Sequence, residues 1–200
     1  MTAAVQNQPT LAETLWQGDK TLARNITLAV LGSLALWVSA KIHIPFYPVP
    51  LTMQTFVVLV IGMSFGWRLG GATVALYLAE GAMGLPVFSG TPEKGLGLVY
   101  LMGPTGGYLL GMLVAAVGVG WLAEHGWDRR IVTTALAMLI GNALIYMFGL
   151  AWLGSLIGWD KPVLSFGFFP FIPGDILKLV LAAIALPAVW KLLGKTPKSS

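Results

Sequence analysis

The chain has 200 residues, of which 56% are hydrophobic and 10% are charged, with a formal net charge of +4. An ordinary soluble domain carries about 25% charged residues, so this composition excludes a water-soluble globular protein and indicates an integral membrane protein. The absence of cysteine excludes disulfides, thiolate metal sites and cysteine nucleophiles. At about 20 residues per crossing, the length allows about six transmembrane helices and no sizeable soluble domain.

The N-terminal segment, residues 1–21, is polar. Residues 10–18 are predicted to form a short interfacial helix with Leu11, Leu15 and Trp16 on one side. The segment has few basic residues and no small-residue cleavage site beside a short apolar stretch, so we expect no cleaved signal peptide. A transmembrane domain is predicted over residues 22–193, followed by a basic tail at residues 194–200.

The first predicted span covers residues 25–40 and carries small residues four apart, a spacing that lets another helix approach closely. These residues are Ala29 with Ser33, and Ala35 with Ser39. Three prolines follow in the stretch PFYPVPLTMQT, residues 45–55. No helix continues through that pattern, so a stiff extended connector is predicted there.

The second and third spans are predicted at residues 51–66 and 69–83, with glycines four apart across a tight turn at Trp67 and Arg68. Glu80, near the end of the third span, is a candidate ligand contact, but a snorkelling or capping carboxylate is favoured so close to a boundary. Residues 84–103 combine turn residues with an apolar background. This composition predicts a loop folded partly into the protein.

The fourth span, residues 102–123, opens with the glycine-rich stretch MGPTGGY and continues with small residues four apart. Gly111 and Ala115 are interpreted as helix-packing positions. Gly106 and Gly107 follow a proline at a helix start, where close approach of a ligand and helix packing remain equal alternatives.

The fifth span, residues 131–156, is uncharged and places Asn142 one turn before Tyr146. An unsatisfied polar group in an apolar medium costs about 2 to 7 kcal/mol, so the Asn142 amide must bond either to a neighbouring helix or to a ligand. The aromatic, proline-containing stretch at residues 165–173 is predicted to be an interfacial or re-entrant loop.

The last span opens with PGDILK, residues 173–178, which places Asp175 and Lys178 on one helix face. Ionisable groups inside a membrane are costly and therefore indicate function. One interpretation is a polar ligand held between helices. The alternative is that Asp175 caps its own helix and pairs with Lys178.

Basic residues predict the orientation of the spans. With six crossings and the N-terminus inside, eight basic residues lie on the inner side: Lys20, Arg24, Arg68, Arg129, Arg130, Lys191, Lys195 and Lys198. Three lie outside: Lys41, Lys94 and Lys161. Positive residues favour the cytoplasmic side, so both termini are predicted in the cytoplasm, with the connector and loops facing outward.

Several kinds of chemistry are missing from the sequence. No phosphate-binding loop of the type GxxxxGK[ST] occurs, so ATP hydrolysis by that route is excluded. His43 and His125 are assigned to opposite sides of the membrane, which argues against a histidine metal site. The positive charge follows the inner loops and gives no support to nucleic-acid binding.

Four motifs in this order resemble the BioY family, the biotin-specific substrate components of energy-coupling factor transporters. They are VPLTMQT at residues 49–55, GLPVF at 84–88, GPTGGY at 103–108 and PGDxxK at 173–178. The resemblance implies an all-α compact bundle of six transmembrane helices with partly re-entrant outer loops. It also implies a bacterial cytoplasmic (inner) membrane location and capture of biotin from outside. Such a component is not an enzyme and needs no cofactor. It delivers biotin with a transmembrane coupling protein and a pair of cytoplasmic ATPases.

The resemblance also suggests roles for individual residues. Asp175 would accept a ureido N–H of biotin, and Lys178 would offset that charge or bind the biotin carboxylate. Thr52 and Gln54 would close the connector over the site as a lid. Further contacts are expected from placement and chemistry at Asn142, Tyr146, Phe88, Lys94, Gly106 and Gly107. The first helix would dock on the coupling protein through Ala29, Ser33, Ala35 and Ser39.

Two other function classes remain open on the sequence alone. A self-sufficient secondary transporter or channel for a small solute would need no partner proteins. An intramembrane enzyme would use Asp175 and Lys178 as an acid–base pair and turn its ligand over.

Overall fold

The computed structural model describes residues 8–16, 22–44 and 47–194. Predictions for residues 1–7, 17–21, Pro45 and the tail beyond residue 194 lie outside the described residues. The helices are α1 (Leu11–Leu15), α2 (Leu22–Lys41), α3 (Gln54–Ala82), α4 (Leu98–Leu101), α5 (Gly106–Glu124), α6 (Ile131–Ile157), α7 (Val163–Gly167) and α8 (Ile172–Leu192), with a 3-10 turn at Phe169–Phe171. Two short strands, β1 (His43–Ile44) and β2 (Leu51–Thr52), pair antiparallel within the connector.

Among the described residues, five helical stretches are long and apolar enough to cross a membrane, and α3 is one of them. Gly66 breaks α3 with a φ of 80° and a ψ of 174°. In a straight helix, Gly62 and Gly70 would be about 12 Å apart along the axis, because they are eight residues apart. Instead, a Cβ atom on Gly70 would lie 2.9 Å from the Cα of Gly62. The helix therefore folds back on itself at Gly66. The predicted all-helical membrane bundle is confirmed, and its helices number six when the two arms of α3 are counted separately.

Glycines bring the central helices into backbone contact. A Cβ atom on Gly62 would lie 2.6 Å from the carbonyl oxygen of Ala116, and one on Gly111 would lie 2.8 Å from the Cα of Ile145. Helix α5 thus packs directly against both α3 and α6, as the small-residue stripe predicted for Gly111 and Ala115. Large apolar side chains on the outer faces of α2 and α8 remain exposed and form the lipid-facing surface.

The loop that follows α3 is folded into the protein. Val87, Phe88 and Ser89 are buried, which agrees with the predicted partly re-entrant loop. Lys41, at the end of α2, donates to the carbonyl oxygens of Phe88 at 3.0 Å and Thr91 at 3.3 Å. These bonds attach the loop to the first transmembrane helix.

Glu80 has a role that the sequence did not indicate. Its carboxylate accepts a hydrogen bond from the hydroxyl of Ser33, so it joins α3 to α2. The favoured prediction of a snorkelling or capping carboxylate was therefore wrong. A carboxylate inside the membrane is costly without a partner, and Ser33 on the facing helix provides one.

The N-terminal helix α1 begins with a capping box formed by Thr10 and Glu13. Leu11 lies in the core, whereas Leu15 and Trp16 are exposed. The preceding residue Gln8 donates its backbone N–H to the carbonyl of Glu124 at 2.7 Å. The segment therefore packs against the bundle as well as presenting apolar side chains outward.

A buried carboxyl group joins the α5–α6 loop to the end of α8. Asp128 is fully buried, and Trp190 donates its indole N–H to it at 2.5 Å. The Arg129 guanidinium lies 4.4 Å from the centre of the Trp190 ring. Burial raises the pKa of Asp128 to about 6, against the opposing effects of the Trp190 hydrogen bond and the Arg129 charge.

This carboxyl group should make stability depend on pH. The folded chain holds the proton up to about pH 6 and the unfolded chain only to 3.8, so the free energy of unfolding should fall as the pH rises between those values. A difference of about 2 units corresponds to about 3 kcal/mol as an upper figure. We expect Asp128→Asn to reduce the pH dependence of the thermal unfolding midpoint in detergent between about pH 4 and 6. The exposed Asp160→Asn variant is the control, and equal slopes for Asp128→Asn and the parent protein would contradict the assignment.

Candidate functional site

A cavity lies where the connector, the start of α3 and helices α5, α6 and α8 meet. Its internal space is small, about 30 Å³, which is room for about two water molecules, so a ligand of biotin's size would need the site to widen. The residues that line it are Val49, Pro50, Thr52, Gln54, Thr55, Ser89, Thr105, Tyr108, Met112, Ile145, Tyr146, Phe171 and Lys178. Apolar walls therefore surround a few polar side chains.

The charged centre of the site is an ion pair within the first turns of α8. Lys178 lies 3.1 Å from a carboxylate oxygen of Asp175, and the two side chains are only 14% and 10% exposed. Tyr146 donates its hydroxyl to the other carboxylate oxygen. The helix register explains the pair, because residues three apart lie on one face. The sequence left open that Asp175 caps its own helix and pairs with Lys178. The pairing is observed, but no side-chain hydrogen bond caps the start of α8.

Lys178 has one N–H left for a ligand. An ammonium group has three N–H donors. Among the described residues, one donates to Asp175 at 3.1 Å and another to the hydroxyl of Thr55 at 2.9 Å. Because Lys178 also lines the cavity, the third is the natural donor to an acceptor atom placed there.

An aromatic group forms the wall beside this charge. Tyr108 donates its hydroxyl to the carbonyl of Gly167 at 2.9 Å, which fixes its ring. The Tyr108 and Tyr146 rings meet edge to face at 6.3 Å, and Phe171 stacks on Tyr108 at 6.5 Å. This wall is suited to the apolar part of a ligand.

Four of the predicted site residues line the cavity together: Thr52, Gln54, Tyr146 and Lys178. Sequence analysis missed Thr55, Thr105 and Tyr108, although all three lie inside the quoted motifs. It also missed Tyr77, whose hydroxyl accepts from the Gln54 amide behind the cavity wall. A tyrosine in an apolar span carries no sequence signal that separates it from ordinary core.

Other predicted site residues lie outside this cavity. Asp175 lines an apolar groove between α6 and α8 with Asn142, and Asn142 also lines a small space beside Thr55 and Lys178. Phe88 stacks on Tyr100 with ring centres 4.9 Å apart and fills the space beside Gly81. Lys94 is exposed on the loop.

The two glycines at the start of α5 contact protein. A Cβ atom on Gly106 would collide with the carbonyl oxygen of Leu101, and one on Gly107 would lie 2.6 Å from the carbonyl oxygen of Phe148. Of the two alternatives left open by the sequence, helix packing explains both positions.

The four predicted docking residues on α2 do not share one exposed face. Ser33 and Ser39 are buried, Ala29 is half-buried and Ala35 is exposed. Ser33 bonds to Glu80, and Ser39 donates to the carbonyl of Leu36 at 2.7 Å. Four-residue spacing indicated that helices approach closely but not which neighbour they approach.

Comparisons with known proteins agree on one family. A family model described as the BioY family matches residues 7–195. The "Biotin transporter BioY" of Thermotoga maritima is 37% identical over 161 residues, covering 80% of this chain and 92% of that protein. The "Probable biotin transporter BioY" of Rickettsia prowazekii is 34% identical over 165 residues, covering 80% of each chain. The crystal structure of an S-component for biotin from an ECF-type ABC transporter is similar with a TM-score of 0.72 at 23% identity, covering 87% of this chain and 94% of that one.

Proposed function

The chain belongs to the BioY family, and on that premise we propose that it is the biotin-binding membrane component of a vitamin uptake transporter. It captures biotin from outside and delivers it inward together with an energy-coupling module. It is a transport component rather than an enzyme, and biotin is its transported ligand rather than a cofactor. The alternative of a self-sufficient secondary transporter is not favoured by its relatives.

The observation that carries the proposal is the cavity with a charged corner and an aromatic wall. Biotin has a ureido ring with two N–H donors and one carbonyl acceptor, an apolar ring and chain, and a carboxylate. The spare N–H of Lys178 suits the ureido carbonyl, and the Tyr108 and Tyr146 rings suit the apolar ring. Asp175 supports this arrangement by holding both Lys178 and Tyr146. It lines the neighbouring groove, so its proposed bond to a ureido N–H requires the ligand to reach past the ion pair.

The structure supports some of the other predicted biotin contacts more than others. Thr52 and Gln54 are proposed as lid contacts, because both lie at the cavity where the connector enters α3. Asn142 is proposed as a contact near Lys178, which shares the adjoining space with it. For Phe88, Gly106 and Gly107 the neighbouring groups are parts of the protein, and Lys94 is exposed on the loop, so a direct contact of these residues with biotin has little support.

We propose that partners supply the energy, which is consistent with the lack of a phosphate-binding loop of the type GxxxxGK[ST] in this sequence. We assign the partners as a transmembrane coupling protein and a pair of cytoplasmic ATPases. The surface of α2 remains the proposed docking element for the coupling protein. Of the four predicted docking residues, Ala35 is exposed and Ala29 is half-buried, so these two are accessible to a partner. The bilayer covers the remaining apolar surface.

The chain is a multi-pass membrane protein. We further place it in the bacterial cytoplasmic (inner) membrane with both termini in the cytoplasm. The even number of crossings and the bias of basic residues toward one side support that orientation. The domain limits at residues 22 and 193 remain proposals.

The proposal predicts saturable, one-site binding of biotin to the detergent-purified full chain. We expect titration calorimetry to give a dissociation constant below about 1 µM, or more than about 8 kcal/mol of binding free energy. Valerate, which lacks the ring system, is the control ligand and should bind far more weakly. Absence of biotin binding by folded protein would overturn the proposal. Concentrative biotin uptake in vesicles containing only this chain would instead favour the secondary transporter.

A further inference from the structure

Gln54 lines the cavity, and a tyrosine behind it holds its amide. Gln54 is 3% exposed and Tyr77 is 1% exposed. The Gln54 amide nitrogen lies 2.8 Å from the Tyr77 hydroxyl, which in turn lies 2.9 Å from the carbonyl oxygen of Val87. The three groups form one buried chain of hydrogen bonds from the cavity to the loop that follows α3.

The direction of these bonds is decided by counting protons. A carbonyl oxygen can only accept, and a tyrosine hydroxyl has one proton to donate. If that proton went to Gln54 instead, the buried carbonyl of Val87 would lose its donor, at a cost of about 1 to 3 kcal/mol. The Tyr77 proton therefore goes to Val87, and the Tyr77 oxygen accepts from Gln54.

The amide of Gln54 consequently has only one favourable orientation. Its NH₂ group faces Tyr77, which leaves its carbonyl oxygen as the amide atom available to a ligand in the cavity that Gln54 lines. We propose that Tyr77 is a positioning residue that fixes Gln54 as a hydrogen-bond acceptor for a ureido N–H of biotin. This assignment rests on the proposed function. It adds that, in the contact between Gln54 and biotin, Gln54 accepts the hydrogen bond and the ureido N–H donates it.

The assignment also gives the site a complementary pair of groups. Lys178 presents a donor, and Gln54 presents an acceptor in the same cavity. A ureido group carries its carbonyl acceptor between its two N–H donors, so it can satisfy both side chains at once. A ligand that has only acceptors at that position would leave the Gln54 oxygen unpaired and should bind poorly.

A double-mutant cycle on the full chain tests this by biotin titration. Gln54→Met keeps the unbranched shape and removes the amide, and we expect about tenfold weaker binding. Tyr77→Phe frees the amide to turn, and we expect a similar loss. If Tyr77 acts through Gln54, the double variant should bind no more weakly than Gln54→Met. Losses that multiply, or Tyr77→Phe binding as tightly as the parent protein, would overturn the assignment.

Tyr100 provides a matched control for loop anchoring. It is buried, and its hydroxyl donates to the carbonyl of Ser89 at 2.8 Å, in the same loop, without a hydrogen bond to the Gln54 amide among the described residues. If Tyr77 acts only by anchoring the loop, Tyr77→Phe and Tyr100→Phe should change biotin affinity in the same way when each is combined with Gln54→Met. We expect instead that any effect of Tyr100→Phe multiplies with that of Gln54→Met.

A second measurement needs no tyrosine variant and so survives a failure of Tyr77→Phe to fold. The imino analogue of biotin replaces the ureido carbonyl by C=NH and is a guanidinium cation near pH 7, so it keeps the N–H donors and has no acceptor at that position. If the Gln54 oxygen accepts an N–H, Gln54→Met should weaken the imino analogue at least as much as it weakens biotin. A loss confined to biotin would show that Gln54 donates to the carbonyl, and would overturn the assigned polarity. If the parent protein binds neither ligand, the proposed function fails, and this assignment fails with it.

Discussion

Asp175→Asn is expected to weaken biotin binding about ten- to hundredfold, or about 1.5 to 3 kcal/mol. The carboxylate now accepts from both Lys178 and Tyr146 in a site where its side chain is 10% exposed. An amide has one oxygen instead of two and is neutral, so one of the two donors would face an NH₂ group. The Lys178 charge would also lose its compensation in a buried position, which is costly. Titration of biotin against both proteins measures the change.

An exposed acid–base pair serves as the control for this substitution. Asp160 lies 3.3 Å from Lys161, and both side chains are more than half exposed. Such surface pairs contribute about 0 to 1 kcal/mol, so Asp160→Asn should leave biotin affinity unchanged. Equal affinities for Asp175→Asn and the parent protein would assign Asp175 to a purely structural pairing.

A further comparison separates direct from indirect action of Asp175. If the carboxylate acts only by holding Lys178 and Tyr146, adding Asp175→Asn to a variant that carries Lys178→Met and Tyr146→Phe should cost no further affinity. If it also accepts a ureido N–H, the triple variant should bind more weakly than that double variant.

The polar residues of short motifs were the most predictable part of the site. Lys178 was identified because an ionisable group inside a membrane is costly, and Thr52 and Gln54 were identified because they lie in the motif VPLTMQT, which resembles the BioY family. The turn at Gly66 was predictable for a related reason, since glycines and the Trp67–Arg68 pair interrupt an otherwise apolar stretch.

Apolar and aromatic contacts could not be assigned in the same way. Phe88 was predicted to line the ligand, yet it packs beside Gly81 and Tyr100 because the loop folds inward at that point. Tyr77 was not singled out, although its hydroxyl determines how Gln54 is oriented. Which face of an apolar helix meets the cavity depends on tertiary packing, which the spacing of residues along one helix does not specify.

The case of Ser33 shows that small-residue spacing does not identify which helix a surface contacts. Its four-residue spacing from Ala29 correctly predicted a close helix neighbour, but that neighbour is α3 of the same chain. A docking surface on a partner and an internal contact have the same sequence pattern.

Gly111→Ala is the second substitution with a large expected effect. The added Cβ atom would lie 2.8 Å from both the Cα and the carbonyl oxygen of Ile145, which are backbone atoms of α6. Backbone cannot move aside as the end of a flexible side chain can, so α5 and α6 must separate at a cost of about 1 to 3 kcal/mol. Ile145 and Tyr146 line the cavity, so biotin affinity should fall together with stability.

Gly174→Ala makes the opposite prediction from the same chemical change. A Cβ atom there meets no atom within 4 Å, and the residue lies in the first turn of α8 with a φ that is not positive. Alanine is favoured over glycine in helices by about 0.5 to 1 kcal/mol, so the thermal unfolding midpoint in detergent should hold or rise. A stable Gly111→Ala variant would contradict the α5–α6 contact. A destabilised Gly174→Ala variant would mean that the glycine before Asp175 is required by something other than space, because no neighbouring atom opposes a side chain there.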